Sequence, residues 1–136
     1  MKRREFLISG AALTVLPATG FAATADYKPG VVPALLAEGR TVFVDFAADW
    51  CTTCKAQERR IGSLRADNGA YDANIVFVRV DWDQYGRGDL VKQLNIPRRS
   101  TLVALKGNKE LGRVVANTSQ AAIKDLMDTA LAAATS

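Results

Sequence analysis

The chain carries the sequence TVFVDFAADWCTTCK at residues 41–55, and this stretch decides the fold. Its first seven residues are apolar, aromatic or β-branched except for Asp45, which is typical of a buried strand. The residues that follow predict a helix over 51–65. Cys51 and Cys54, the only cysteines of the chain, therefore lie where a strand leads into a helix.

Two thiols at this spacing predict a reactive pair rather than a structural bridge. A disulfide across two residues closes a very small loop, so it constrains the unfolded chain less than a long-range disulfide. The N-terminus of the helix lies beside Cys51 and favours its thiolate, which is the form that attacks disulfides. The pair therefore indicates redox chemistry.

The first 25 residues have the pattern of an export signal. Basic residues at 2–4 precede an apolar, small-residue stretch at 7–22, and residues 23–25 form an A-x-A cleavage pattern. The basic pair also resembles the twin-arginine motif; an ordinary secretory signal and an uncleaved anchor are the alternatives. We expect residues 1–25 to be an export signal, residues 26–136 to form one domain, and the protein to be periplasmic.

The charge of the chain gives no indication of nucleic-acid binding. The formal net charge is +4, and residues 1–25 hold three basic side chains against one acidic side chain. The remainder carries only +2, with no long block of like charge to bind a polyanion. We therefore expect no nucleic-acid partner.

Hydrophobic periodicity predicts alternating helices and strands in the predicted domain. The predicted helices span residues 31–38, 51–65, 89–94 and 119–134. The predicted strands span residues 41–47, 75–80, 101–105 and 111–116, with a loop at 81–88 and a hairpin turn at 106–109. Helices between the early strands imply parallel pairing, and the hairpin adds an antiparallel edge. The expected fold is α/β, a central mixed β-sheet flanked by helices.

This order of elements, with CxxC opening the helix after a central strand, resembles the thioredoxin family from about residue 31 to the end. The segment DFAADWCTTCK at residues 45–55 carries the closest likeness. It is also similar to the periplasmic thioredoxin-like domain of transmembrane thiol reductant transporters. The resemblance implies a thioredoxin fold and thiol–disulfide exchange without a cofactor.

The resemblance also implies roles for individual residues. It makes Cys51 the nucleophile, Cys54 the resolving thiol, and Asp45 the buried acid that moves protons for Cys54. A lone carboxyl in an apolar strand should have a raised pKa; the alternative is a structural carboxylate. Arg79 falls where thioredoxins often keep a lysine, so it either pairs with Asp45 or points to solvent. Trp50 either covers the cysteine pair or only packs.

The sequence departs from the family before the third strand. Thioredoxins place a cis-proline there, facing CxxC, but this chain has Ser100 followed by Thr101. An alternative alignment uses Pro97 and inserts three residues. A non-proline cis bond costs about 2.5–4 kcal/mol, so we expect Ser100 to be trans.

The same loop contributes to the predicted substrate surface. Arg98 and Arg99 would lie near Cys51 and favour its thiolate, unless they are simply solvated. The predicted substrate-binding residues are Trp50, Arg99, Ser100 and Thr101.

These features predict an exported, monomeric reductase of disulfide-bearing proteins that is itself reduced by a membrane thiol donor. The alternative is a soft-metal module that binds copper through the two thiolates. A four-ligand zinc site within the chain is not expected, because the sequence has no histidine. An inactive interaction domain with oxidised cysteines is the third possibility.

Overall fold

The structure is a computed structural model that describes residues 24–136. Its strands are β1 Ala25–Asp26, β2 Thr41–Ala47, β3 Ile75–Asp81, β4 Thr101–Lys106 and β5 Lys109–Val115. Its helices are α1 Val31–Ala37, α2 Thr52–Asp67, α3 Ala70–Asn74, α4 Trp82–Tyr85, α5 Asp89–Leu94 and α6 Gln120–Ala134.

The five strands form one mixed sheet in the order β1-β3-β2-β4-β5. The β1, β3 and β2 strands run parallel, whereas β4 and β5 pair antiparallel. All seven residues of the central strand β2 are buried, which explains its nearly continuous apolar sequence. The predicted α/β fold with a central mixed sheet is confirmed.

Side chains of β2 alternate between two cores. Val42, Val44 and Phe46 face the core that α1 and α5 cover. Phe43 faces the opposite core, where α2, α3 and α6 pack. Asp45 follows Phe43 by two residues, so it shares this second face and lies beneath α2. The alternation of the strand thus places a carboxyl under the helix that carries the cysteines.

Three short elements differ from the sequence prediction. Residues 81–88 were predicted as a loop, but α4 forms a helical turn there, because the Asp81 carboxylate accepts a hydrogen bond from the Asp83 backbone amide. The α3 helix and the β1 strand were not predicted as elements. Each is too short to show a hydrophobic period.

Most of the predicted export signal lies outside the described residues. Of residues 1–25, the structure describes only Thr24 and Ala25. Ala25 pairs with Val78 of β3, so cleavage after Ala25 would leave Asp26 as the remaining residue of β1. Among residues 24–136, no helix combines the length and the apolar character needed to cross a bilayer.

Candidate active site

The turn between β2 and α2 positions both cysteines. Cys51 is the N-cap of α2, and its Sγ accepts a hydrogen bond from the Cys54 backbone amide at 3.2 Å. Cys54 lies in the first turn of the helix, so the two thiols face each other across that turn. Cys51 is 3% exposed and Cys54 is fully buried, so Cys51 lies at the helix end but is much less exposed than the sequence suggested.

Trp82 contributes to this burial. It packs against the cluster that both cysteines form with Ala47 and Ala48. The helical turn α4 directs its ring toward the cysteines.

Ser100 faces both sulfurs. Its Oγ lies 3.2 Å from Cys51 Sγ and 3.1 Å from Cys54 Sγ. The side chain is fully buried, whereas Pro97 is exposed. No peptide bond among residues 24–136 is cis, as expected for serine at this position. The alignment that places Ser100 opposite CxxC therefore agrees with the structure.

The backbone of Ser100 is fixed in a left-handed conformation, with φ of 64°. Its amide donates to the Phe46 carbonyl at 2.7 Å, and its carbonyl accepts from the Ala116 amide at 2.8 Å. The buried Gln57 side chain also donates to this carbonyl at 3.0 Å and to the Asn117 carbonyl at 3.1 Å. Gln57 was not identified from the sequence. Its signal is a polar residue three positions after Cys54, on the buried face of α2.

The two thiols differ in acidity. Burial by itself would raise the pKa of Cys51, but hydrogen bonds from Cys54, Ser100 and Arg99 lower it to about 7. Burial and the hydrogen bond with Cys51 raise the pKa of Cys54. Near neutral pH, a large fraction of Cys51 is therefore thiolate, whereas Cys54 holds its proton. This is the difference that a nucleophile and a resolving thiol require.

Asp45 is a buried carboxyl whose Oδ1 has no hydrogen-bond partner among the described residues. Burial raises its pKa well above the usual range, and the charge and hydrogen bonding of Glu58 raise it further. The charge of Arg79 opposes this shift. Asp45, Glu58 and Arg79 line a cavity of about 200 Å³ between β2, β3 and α2.

The sequence left two possibilities for Arg79, an ion pair with Asp45 or exposure to solvent, and the structure shows neither. It lies opposite Asp45 in the β2–β3 register, but its Nε pairs with Glu58 at 2.8 Å and its NH2 with Asp49 at 3.1 Å. Glu58 was missed because nothing in the sequence shows that α2 turns this side chain toward Asp45.

The remaining predicted site residues form or support the rim. Trp50 is 57% exposed, and its Nε1 donates to the Asp83 carboxylate at 3.0 Å. The Arg99 guanidinium stacks 4.5 Å from the centre of the Trp50 ring. Arg98 instead donates to the Arg99 carbonyl at 2.9 Å. Thr101 is fully buried and donates to the Arg98 carbonyl at 2.7 Å, so it holds the loop.

No three histidine, cysteine, aspartate or glutamate side chains converge on a common point within the described part of the chain. The copper alternative would therefore rest on the two thiolates and the Ser100 hydroxyl. A two-thiolate site suits only a soft ion of low coordination number.

The chain is similar to known proteins of one family. The thioredoxin family model matches residues 31–129. Thioredoxin H5 of Oryza sativa is 35% identical over 77 residues, covering 57% of this chain and 53% of that protein. The chain thus matches about half the length of this relative.

Two further relatives extend the comparison. The thiol:disulfide interchange protein DsbD of Ralstonia nicotianae is 34% identical over 109 residues, which cover 74% of this chain and 18% of that protein. The crystal structure of Trxlp from Edwardsiella tarda is similar with a TM-score of 0.68 and 28% identity, covering 77% of this chain and 98% of that chain. With its mixed sheet and its CxxC pair at the start of α2, the chain belongs to the thioredoxin family.

Proposed function

We propose that this chain is an exported thiol–disulfide oxidoreductase that reduces protein disulfides. The observation that carries the proposal is the unequal acidity of the two thiols at one helix N-terminus. Cys51 has a pKa of about 7, whereas the pKa of Cys54 is raised. One thiol is therefore ready to attack at neutral pH, and the other remains protonated until it is needed.

The proposed reaction has two exchanges. The Cys51 thiolate attacks one sulfur of a substrate disulfide, which forms a mixed disulfide and releases the other substrate sulfur as a thiolate. Cys54 then gives its proton to Asp45 and attacks Cys51 Sγ, which releases the second substrate sulfur. Two electrons have moved to the substrate, and the protein is left with a Cys51–Cys54 disulfide.

The proposed direction and location rest on the relatives and on the predicted signal. The resemblance of residues 45–55 to the periplasmic domain of thiol reductant transporters supports a periplasmic protein that receives electrons from a membrane thiol reductant donor, and the similarity to a thiol:disulfide interchange protein agrees with disulfide exchange. Residues 1–25 supply the export signal in this proposal, and the protein works as a monomer. Trp50 and Arg99 at the rim are the proposed contacts for disulfide-bearing proteins, because Trp50 is exposed beside Cys51 and Arg99 both stacks on its ring and bonds Cys51.

Insulin reduction combined with metal analysis tests this function. We expect the purified protein to catalyse insulin reduction by dithiothreitol and to contain far less than one equivalent of copper or zinc. Stoichiometric copper with no reductase activity would instead establish the soft-metal alternative. A protein with neither activity nor metal would be an interaction domain.

A further inference from the structure

We propose that Ser100 is a further catalytic residue, whose hydroxyl donates a hydrogen bond to whichever of the two active-site sulfurs carries the negative charge. The inference rests on the proposed function, because it assigns a role within the same two exchanges. It concerns a position at which the chain departs from the proline expected in its family.

The first support is the position of the hydroxyl between the sulfurs. Ser100 Oγ lies 3.2 Å from Cys51 Sγ and 3.1 Å from Cys54 Sγ. Among the hydrogen bonds of the described residues, this oxygen has no other partner, and the side chain is fully buried. A hydroxyl has one proton to donate and can rotate between two acceptors at equal reach.

The second support is the conformation that holds the hydroxyl there. A φ of 64° is uncommon for a residue with a Cβ, and such residues persist only where the surroundings fix them. Here three hydrogen bonds fix the backbone of Ser100, with Phe46 in β2, Gln57 in α2 and Ala116 just after β5. This backbone conformation, held by three hydrogen bonds, orients the small polar side chain of Ser100 toward the sulfurs.

The third support is the charge that moves between the sulfurs during the reaction. In the dithiol state, the Cys51 thiolate accepts hydrogen bonds from the Ser100 hydroxyl and from the Cys54 thiol. In the mixed disulfide, Cys51 is neutral and Cys54 becomes the attacking thiolate after it loses its proton to Asp45. The hydroxyl then rotates and donates to Cys54, so serine keeps its proton and no electrons pass through it.

Two variants separate the hydroxyl from the backbone. Ser100→Ala removes the hydroxyl and keeps a Cβ in the left-handed conformation, whereas Ser100→Gly removes both the hydroxyl and the strain. Thr41→Val is the matched control. It deletes a buried hydroxyl without a partner among the described residues, at the end of β2 remote from the cysteines.

One measurement reports on the Cys51 thiolate, and a second reports on resolution by Cys54. Iodoacetamide alkylation against pH reports the pKa of Cys51, and stopped-flow measurements report the resolution of a mixed disulfide with a cystine peptide. We expect both Ser100 variants to lower the acid dissociation constant of Cys51 about tenfold, because a hydrogen bond to a charged group is lost. At a pH below the pKa of Cys51, the attack of Cys51 on the peptide disulfide should slow by only about threefold. The thiolate is about tenfold scarcer, but it is more basic and therefore more nucleophilic.

Resolution should slow about tenfold in both Ser100 variants, and Thr41→Val should behave as the wild type. Wild-type values of both quantities in Ser100→Ala and Ser100→Gly would overturn the inference. A defect in Ser100→Ala that Ser100→Gly restores would also overturn it, because the backbone rather than the hydroxyl would then be responsible. A wild-type protein that exchanges no disulfide would refute the proposed function, whereas the alkylation profile would still decide whether Ser100 bonds the thiolate.

Discussion

At the scale of one residue, Asp45 is the proposed acceptor of the Cys54 proton, and burial of its carboxyl lowers the stability of the fold. Its carboxyl is buried beneath α2, and Oδ1 has no partner among the described residues. Burial and Glu58 raise its pKa well above the usual value. The folded protein therefore binds this proton more tightly than the unfolded chain, so the free energy of unfolding falls as the pH rises from about 4 through the raised pKa.

Replacing Asp45 with asparagine should separate stability from activity. We expect Asp45→Asn to increase the free energy of unfolding at alkaline pH and to remove the decline of stability as the pH rises from about 4. Each tenfold difference in acid dissociation constant between folded and unfolded protein corresponds to about 1.4 kcal/mol. Resolution of the mixed disulfide should slow at neutral pH, because the acceptor for the Cys54 proton is lost.

Urea denaturation at several pH values and single-turnover resolution kinetics measure the two effects. Asp49→Asn is the matched control, because this carboxylate lies 3.1 Å from Arg79, the residue opposite Asp45, but its side chain is 95% exposed. We expect the control to change the free energy of unfolding by less than about 0.5 kcal/mol. A wild-type resolution rate in Asp45→Asn would make Asp45 purely structural.

At the scale of the elements, α2 connects the cysteines to the loop before β4. The side chain of Gln57 in α2 bonds the carbonyls of Ser100 and Asn117, and all of its surface is buried. The helix therefore fixes the residue that faces the sulfurs as well as the sulfurs themselves. This connection explains how a loop with a strained serine keeps one conformation.

Gln57→Ala should weaken that connection. We expect a loss of about 2 kcal/mol in the free energy of unfolding, since a buried side chain loses two hydrogen bonds and the Ser100 and Asn117 carbonyls lose their Gln57 donor. Alkylation of Cys51 should also need a higher pH, because Ser100 is less firmly held. Urea denaturation and iodoacetamide kinetics measure these changes.

Arg60→Ala provides the comparison on the same helix. Arg60 also donates to a carbonyl of this segment, that of Thr118 at 3.3 Å, but it is exposed. We expect a change of less than about 0.5 kcal/mol and an unaltered alkylation profile. Equal effects of Gln57→Ala and Arg60→Ala would contradict a specific role for the buried bonds.

The sequence was sufficient for the elements that have a clear hydrophobic period. The predicted strand at 41–47 and the predicted helices at 89–94 and 119–134 agree with the structure to within one residue. The turn α4 was missed because a side-chain cap starts it, rather than a period. The sequence predicted Asp45 but not its neighbour Glu58. Contact between a strand and a helix depends on tertiary packing, which a local sequence pattern does not show.

At the scale of the whole molecule, one face of the sheet serves mainly for packing, whereas the reactive residues lie where β2 ends. The α1 and α5 helices close one core, whereas α2 brings the cysteines to the end of β2, where Asp45, Ser100 and Arg99 gather. The residues around the cysteines could be predicted singly, from the motif and the resemblance. Their mutual arrangement needed the fold.

The predicted export signal leads to a test on the intact protein. We expect the chain, expressed with residues 1–25 in a bacterium that has twin-arginine transport, to appear in the periplasm with Asp26 as its first residue. Loss of Ala25 should be tolerated, since the Tyr27 amide still bonds the Arg79 carbonyl. Intact-mass measurement of the periplasmic fraction checks the boundary, and a cytoplasmic full-length chain would contradict it.

The central claim is the division of roles between the two cysteines, and trapping of mixed disulfides tests it most directly. Cys51→Ser and Cys54→Ser variants are each incubated with a disulfide-bearing peptide, and the covalent adduct is measured by mass spectrometry. We predict that Cys54→Ser accumulates the adduct through Cys51, while Cys51→Ser forms almost none, because the pKa of Cys51 is lowered to about 7 and the pKa of Cys54 is raised. Equal trapping by both variants, or trapping only through Cys54, would contradict the account.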